Sequence, residues 1–467
     1  MVLSRLYFLV IFVSHKLPAG YKVWPNQTKM LKRQLYTCLF ASALAAGAAA
    51  CVPLEQQVQS SSATQQAQLR YEDFIYDESI QSVQAYVATG FEEEVLEPPV
   101  VELGSGVPVI LEFDRLNATP NRLVAKLIHC DANWKPSGLN DSQFLNDFNE
   151  FFITDAQNSV NTRVNYVHYT FRVPRVKLSG NYLLQVQEEG GKLLLTQRLL
   201  VYQKLVAVTS KLGAPLGPRG RETRQPVEFN VFYADYELVN PAAEVKAVMR
   251  QNYRWDNAKR LARPTYVHDA QRRLEYVFFE PNELFKGLSE FRAFDTRSLN
   301  FKGLAIDNID LQQNPTVVYL QTDKNRSGQA YSQDPDINGK RIFGNRQYGN
   351  GDVNGDYTWV DFELQVTEKV PGEVYLQGDL TNWRQTEEAK LNFDAERQAY
   401  TGRMLLKQGY YNYYYTFKSG SGSADDSYFE GSHFETGNDY DILIYYRPPG
   451  SRADLLIGYD RLYFNRK

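Results

Sequence analysis

Thr358-Trp-Val-Asp-Phe-Glu-Leu-Gln-Val366 is the stretch on which the fold turns. Thr358, Val360, Phe362, Leu364 and Val366 fall on one side of an extended chain, and Trp359, Asp361, Glu363 and Gln365 on the other. Side chains of a strand alternate between faces, so this pattern predicts a strand with one face buried and one in water. Val374–Gln377, Tyr400–Leu406 and Tyr410–Phe417 continue the pattern between turn-type residues.

Working outward, strands are predicted within Ile75–Tyr86 and at Val107–Phe113, Leu123–Cys130 and Asn181–Gln187. A Gly- and Pro-rich break at Gly213–Pro226 precedes a second set at Val227–Tyr233, Glu244–Gln251, Leu274–Phe279 and Glu290–Asp295. One helix is predicted, Ser142–Phe148, with Phe144, Leu145 and Phe148 at helical spacing. The composition agrees, with 32 Tyr and 26 Phe against 4 Met among 467 residues. Aromatic residues suit half-buried strands, whereas long helices draw on Ala, Leu and Met. The expectation is a mainly β chain of three tandem, immunoglobulin-like β-sandwich domains at 70–205, 206–322 and 323–467.

The first fifty residues read differently. They hold Arg5, Lys16, Lys22, Lys29, Lys32 and Arg33 and no acidic residue. Met30-Leu31-Lys32-Arg33, an apolar run from Leu35 to Ala50, and then Cys51 make an export signal, too short for a membrane-spanning helix. Residues 1–50 are therefore a signal segment, with 1–29 read as an over-long start ahead of a true start at Met30. Ala48-Ala49-Ala50-Cys51 resembles a bacterial lipobox, which predicts cleavage between Ala50 and Cys51 and lipidation of Cys51. Ordinary cleavage at the same bond, leaving a soluble periplasmic protein, is the other reading. Val52–Gln57 lacks an acidic cluster, which favours the periplasmic face of the outer membrane. Residues 51–69, rich in Gln and Ser, read as a flexible tether of about 60 Å when extended. Cys38 leaves with the signal and Cys51 would be acylated, so Cys130 stands alone and no disulfide is expected.

Without the signal segment the chain carries 45 basic and 55 acidic residues, which makes nucleic acid a poor partner. His129-Cys130-Asp131 holds the residue types of a nucleophile, base and orienter. In a strand, however, residues 129 and 131 face away from 130, and the triplet reads as packing. Asp352, Asn354, Asp356, Thr358, Val360 and Glu363 occupy calcium-loop spacings, but Tyr357 stands where the loop needs glycine, and a turn with solvated carboxylates is the better reading. Gly378-Asp379-Leu380-Thr381-Asn382-Trp383 resembles starch-binding sandwich modules and nominates Trp383, Tyr411 and Tyr413 for sugar stacking. Asp295 and Arg297 share a strand face and are expected to pair. No phosphate loop, dinucleotide fingerprint or HExxH or GxSxG motif is present. The expectation is no catalytic residue, no cofactor, no metal ligand and no small-molecule substrate.

Several stretches together resemble the type IX secretion system plug protein family. In the first unit they are Leu103–Gly106, Ile128–Trp134, Asn161-Thr162, Tyr166–Tyr169 and Leu178–Tyr182. In the second they are Gln251-Asn252, Trp255–Asn257 and Glu290–Leu299, and in the third Glu430–Thr436, Asn438–Tyr440 and Tyr445–Arg447. The resemblance covers roughly residues 70–467. It implies a non-enzymatic protein that seals the periplasmic mouth of a giant outer-membrane β-barrel translocon while no cargo crosses. Binding would be reversible, through a large but polar interface. Two competing readings remain: an outer-membrane glycan-binding lipoprotein using the C-terminal domain, and a periplasmic hydrolase.

Overall fold

The computed structural model describes residues 68–91, 93–214, 222–420 and 422–466. The signal segment, the start at Met30, the Ala50–Cys51 cleavage and lipidation site and most of the tether lie outside the described residues. Within them the chain is mainly β and built of sandwiches, as the alternation at Thr358–Val366 predicts.

In the first sandwich, one sheet runs in the order Phe74–Ile75, Leu193–Tyr202, Gly180–Glu188, Leu123–Cys130 and Phe151–Ile153, with Val100–Glu102 pairing parallel to Leu193–Tyr202. The facing sheet runs Ile80–Val87, Val109–Leu116, Tyr166–Arg172 and Asp155–Asn158. Leu111, Phe113, Leu127, Val167, Tyr169 and Leu184 meet between them in one core.

The middle sandwich has Ala207–Leu212, Val227–Phe232, Arg273–Tyr276 and Tyr266–His268 as one sheet. Its other sheet runs Lys259–Leu261, Lys246–Gln251, Asn438–Tyr446 and Leu455–Phe464. Two of these four strands come from the end of the chain: Val248 pairs with Leu443 and Met249 with Ile442. Val227, Met249, Leu274, Tyr440, Ile442 and Ile444 then close a single core.

The third module is built on an 11-stranded sheet in which Tyr357–Gln365 pairs along Ala399–Lys407 and, in parallel, Val317–Leu320. Its core holds Phe294, Val360, Phe362, Leu376, Tyr411 and Tyr413. Phe294 and Tyr411 stack at 5.0 Å with ring planes 10° apart.

Strand pairing thus crosses the expected 322/323 boundary in both directions. Arg292–Asp295, expected in the middle unit, pairs with Gly409–Lys418 of the third. Asn438–Phe464, expected in the third, completes the middle one. The expected helix also shortens to one turn, Asp141–Phe144, capped by a 2.8 Å bond from Asn140 N to Gln143 Oε1. Leu145 is already extended, and Phe148, expected on the buried face, is 82% exposed. Among the described residues no helix is long and apolar enough to cross a membrane.

Candidate functional site

The residues that most need explaining lie where one sandwich meets the next. On Val109–Leu116 the alternation sends Leu111 and Phe113 into the core and Glu112 and Asp114 outward. That outer face meets the third module instead of water. Asp114 pairs across its sheet with His168, whose Nδ1 lies 2.8 Å from Asp114 Oδ1. From the third module, Tyr357 Oη and Lys407 Nζ each donate to Asp114 Oδ2 at 2.7 Å. A buried carboxylate is tolerable only when its lone pairs are taken up, and three donors do so here. Burial beside Asp114 pushes the Tyr357 hydroxyl far above its ordinary value, so it stays a donor.

Further bonds run along the same seam. Lys407 Nζ donates to the Asp352 carbonyl at 2.7 Å, and Tyr166 Oη to the Gly355 carbonyl at 2.9 Å. Val164 N donates to Asp356 Oδ1 at 3.0 Å, and Arg341 Nη2 to the Val83 carbonyl at 2.6 Å. Beside this seam opens a groove of about 670 Å³, lined by Phe74, Ile80, Phe343, Trp359, Leu405 and Arg403 among others.

The first and middle sandwiches meet through a fourth apolar cluster, containing Cys130, Trp134, Leu183 and Leu200 from one and Val248, Leu443, Tyr445 and Leu456 from the other. Each buried Leu or Val stabilises by about 1.5–3 kcal/mol. Polar bonds fix its register: Tyr445 Oη donates to Asn181 Oδ1 at 2.8 Å, and Ala132 N to Asp454 Oδ2 at 3.0 Å. Burial raises the Asp454 carboxyl, but bonds from Arg447 and Ala132 outweigh it and hold the group below the usual range. Arg198 lies over the Trp134 ring at 4.7 Å, and Trp134 meets Trp255 edge-on at 5.1 Å. Between the middle and third modules, Arg254 sits 4.2 Å over the Trp383 ring and bonds Asp256 and Asp426.

The quoted sequence stretches account for much of this. His129 lies opposite Tyr182 and Cys130 opposite Asn181, so Ile128–Trp134 and Leu178–Tyr182 are one patch. Gly180, at φ +147°, leaves room for His129, whose Nε2 would collide with an added Cβ. Asn252 Nδ2 donates to Asn438 Oδ1 at 2.8 Å, while Asp439 N donates to Asn252 Oδ1 at 2.9 Å. Arg292 and Arg326 both bond Glu430, at 3.1 and 2.6 Å.

The other candidates resolve as follows. His129 and Cys130 are buried on opposite faces, His129 Nδ1 lies 2.9 Å from Ser137 Oγ, and Asp131 Oδ1 caps a turn through Asn133 N and Lys135 N. Burial pushes the Cys130 thiol up to about 12. The calcium-loop residues diverge: Thr358 and Val360 are in the sheet interior, and Glu363 bonds Arg397 at 3.0 Å on its outer side. The sugar-stacking expectation fails on geometry, because Tyr411 and Tyr413 are buried in the third core, with Tyr413 Oη donating to Asp323 Oδ2 at 2.6 Å. Trp383 is partly covered by Arg254 and packs edge-on against Phe291. Asp295 and Arg297 do pair, through bonds of 3.0 and 2.7 Å, and Arg346 adds a third at 2.7 Å. Sequence reasoning missed Asp114, Lys407, Tyr357 and Arg254, which look like ordinary strand and turn residues until another module covers them.

A chain of β-sandwiches fastened by buried polar bonds is a multidomain β protein, a fold that by itself assigns no function. Residues 80–203 match the family described as Type 9 secretion system plug protein 1st domain. Residues 80–203 therefore carry the first domain of the type IX secretion plug family. The crystal structure of a hypothetical protein from Parabacteroides merdae ATCC 43184 is similar at 28% identity and a TM-score of 0.79, covering 85% of this chain and 100% of that one. The ICAM-5 D1-D4 ectodomain fragment aligns at 9% identity over 82% of this chain and 77% of that one, but its TM-score of 0.13 carries no argument. No curated protein matches.

Proposed function

We propose that the protein is a non-enzymatic plug that reversibly occludes the periplasmic opening of the outer-membrane type IX secretion translocon while no cargo crosses. The match of residues 80–203 to the plug family's first domain carries this reading. The seams support it mechanically. A pore wide enough for folded cargo is sealed by a body that does not flex, and buried bonds such as Asp114–Lys407 stiffen this one. The partner would be a giant outer-membrane β-barrel, and a lipid on Cys51 would hold the plug at the periplasmic face of the membrane, with the tether raising its local concentration there. Release for cargo requires an interface of transient, polar type.

A tagged protein should co-purify from mild detergent with a very large outer-membrane barrel protein, and deleting the gene should admit large antibiotics. Repeated recovery without such a partner would sink the proposal. Mass spectrometry of the mature N-terminus tests the anchor separately: a first residue other than acylated Cys51 refutes it.

A further inference from the structure

Glu112 and His168 stand on the outer face of the first sandwich, and Asp352 reaches them from the single helical turn Gly351–Asn354 of the third module. One ligand atom from each lies within 4.8 Å of the other two. The sequence gives no sign of such a grouping, since Glu112 and His168 are 56 positions apart and Asp352 lies 184 positions beyond His168.

Their partners leave them available. His168 is 5% exposed, and its Nδ1 is held by Asp114. Its Nε2 has only Thr170 Oγ1, at 3.4 Å, and Thr170 is the residue paired with Glu112 across the sheet. The imidazole edge therefore points along the sheet towards Glu112. A carboxylate behind a histidine is the usual device for orienting a metal-binding imidazole. Glu112 takes one bond, from Tyr86 Oη at 3.0 Å, and forms no ion pair among the described residues. The Asp352 carboxylate receives no hydrogen bond and no ion pair among the described residues. Lys407 spends its bonds on Asp114 and the Asp352 carbonyl.

We infer that Glu112, His168 and Asp352 bind a divalent transition-metal ion, zinc foremost, that fastens the first sandwich to the third. One imidazole nitrogen and two carboxylate oxygens suit zinc, with water completing the tetrahedron, better than they suit calcium, which takes six to eight oxygens. Closing around an ion at about 2.0–2.2 Å would draw the three side chains together across the seam. The inference stands apart from the plug reading and survives its failure.

The test uses the full mature chain, stripped with chelator and titrated with zinc chloride by calorimetry, with thermal unfolding followed in parallel. One equivalent should bind and raise the midpoint by several degrees. Asp352→Asn and Glu112→Gln should each weaken binding at least tenfold while leaving the metal-free midpoint within a degree or two. Calcium chloride at the same concentration should neither bind nor compete. Absence of saturable zinc binding, or equal affinity in Asp352→Asn, overturns the inference. Because Asp352 carries no structural bond through its carboxylate, its variant separates metal binding from folding.

Discussion

Asp114 of the first sandwich and Lys407 of the third form a 2.7 Å ion pair whose side chains are 0% and 1% exposed. Neither charge can be rehydrated while the modules stay together, so the pair couples the stability of one module to the presence of the other. Lys407→Met should therefore cost about 3–5 kcal/mol by leaving a buried carboxylate short of its counter-charge. Asp114→Asn combined with Lys407→Met should recover a large part of that loss. Urea denaturation of the single and double variants reads the coupling, and strictly additive losses would contradict it.

Gly180→Ala should lower stability by about 1–3 kcal/mol, because φ +147° is foreign to side chains and the new Cβ would strike His129. His129→Ala in the same chain should relieve the clash but not the backbone strain. Thermal unfolding of Gly180→Ala, His129→Ala and the double variant distinguishes the two contributions.

Asp336 introduces a pH dependence of defined sign. Burial pushes its carboxyl up to about 7, against bonds from Phe291 N and Asn338 N that pull the other way. The unfolded carboxyl titrates near 4. Between about pH 4 and 7 the folded state thus holds more protons than the unfolded one, and this residue's contribution to stability falls as pH rises. Glu290, also raised by burial, acts in the same direction. The loss of stability from pH 5 to 7.5 should be smaller in Asp336→Asn, and an unchanged loss would count against this assignment.

Cys130 should resist thiol reagents in the native state. It is fully buried, and its thiol is pushed up to about 12, so almost no thiolate exists at neutral pH. Labelling with a maleimide should appear only on unfolding in guanidinium. Rapid native labelling would mean that the apolar cluster between the first two sandwiches opens.

Local pattern was the legible part of this molecule. Leu123–Cys130 forms as expected to the residue, and Thr358–Val366 and Asn181–Gln187 to within one at each end. Alternation reports what lies on each side of a strand, and there it sufficed. Asn438–Tyr446 was harder because all nine residues are buried. Its inner side meets the middle core and its outer side the first sandwich, so no alternation survives to mark which module owns it. Phe148 misled for the opposite reason, since helical spacing persisted past the point where the chain turns. The seam residues were invisible on principle: Asp114 and Lys407 are 293 positions apart and carry no local mark of their pairing.

The strand order of the middle sandwich also sets a schedule. A chain made from its N-terminus can finish the first sandwich early, but the sheet containing Lys246–Gln251 waits for Asn438–Phe464, almost two hundred residues later. Until then Val248 and Met249 lack partners on one side, and the whole third module must be threaded out between two halves of its neighbour. A chain cut short anywhere before residue 438 forfeits the middle core as well as its own end, so the last strands act as a seal of completeness on everything synthesised before them.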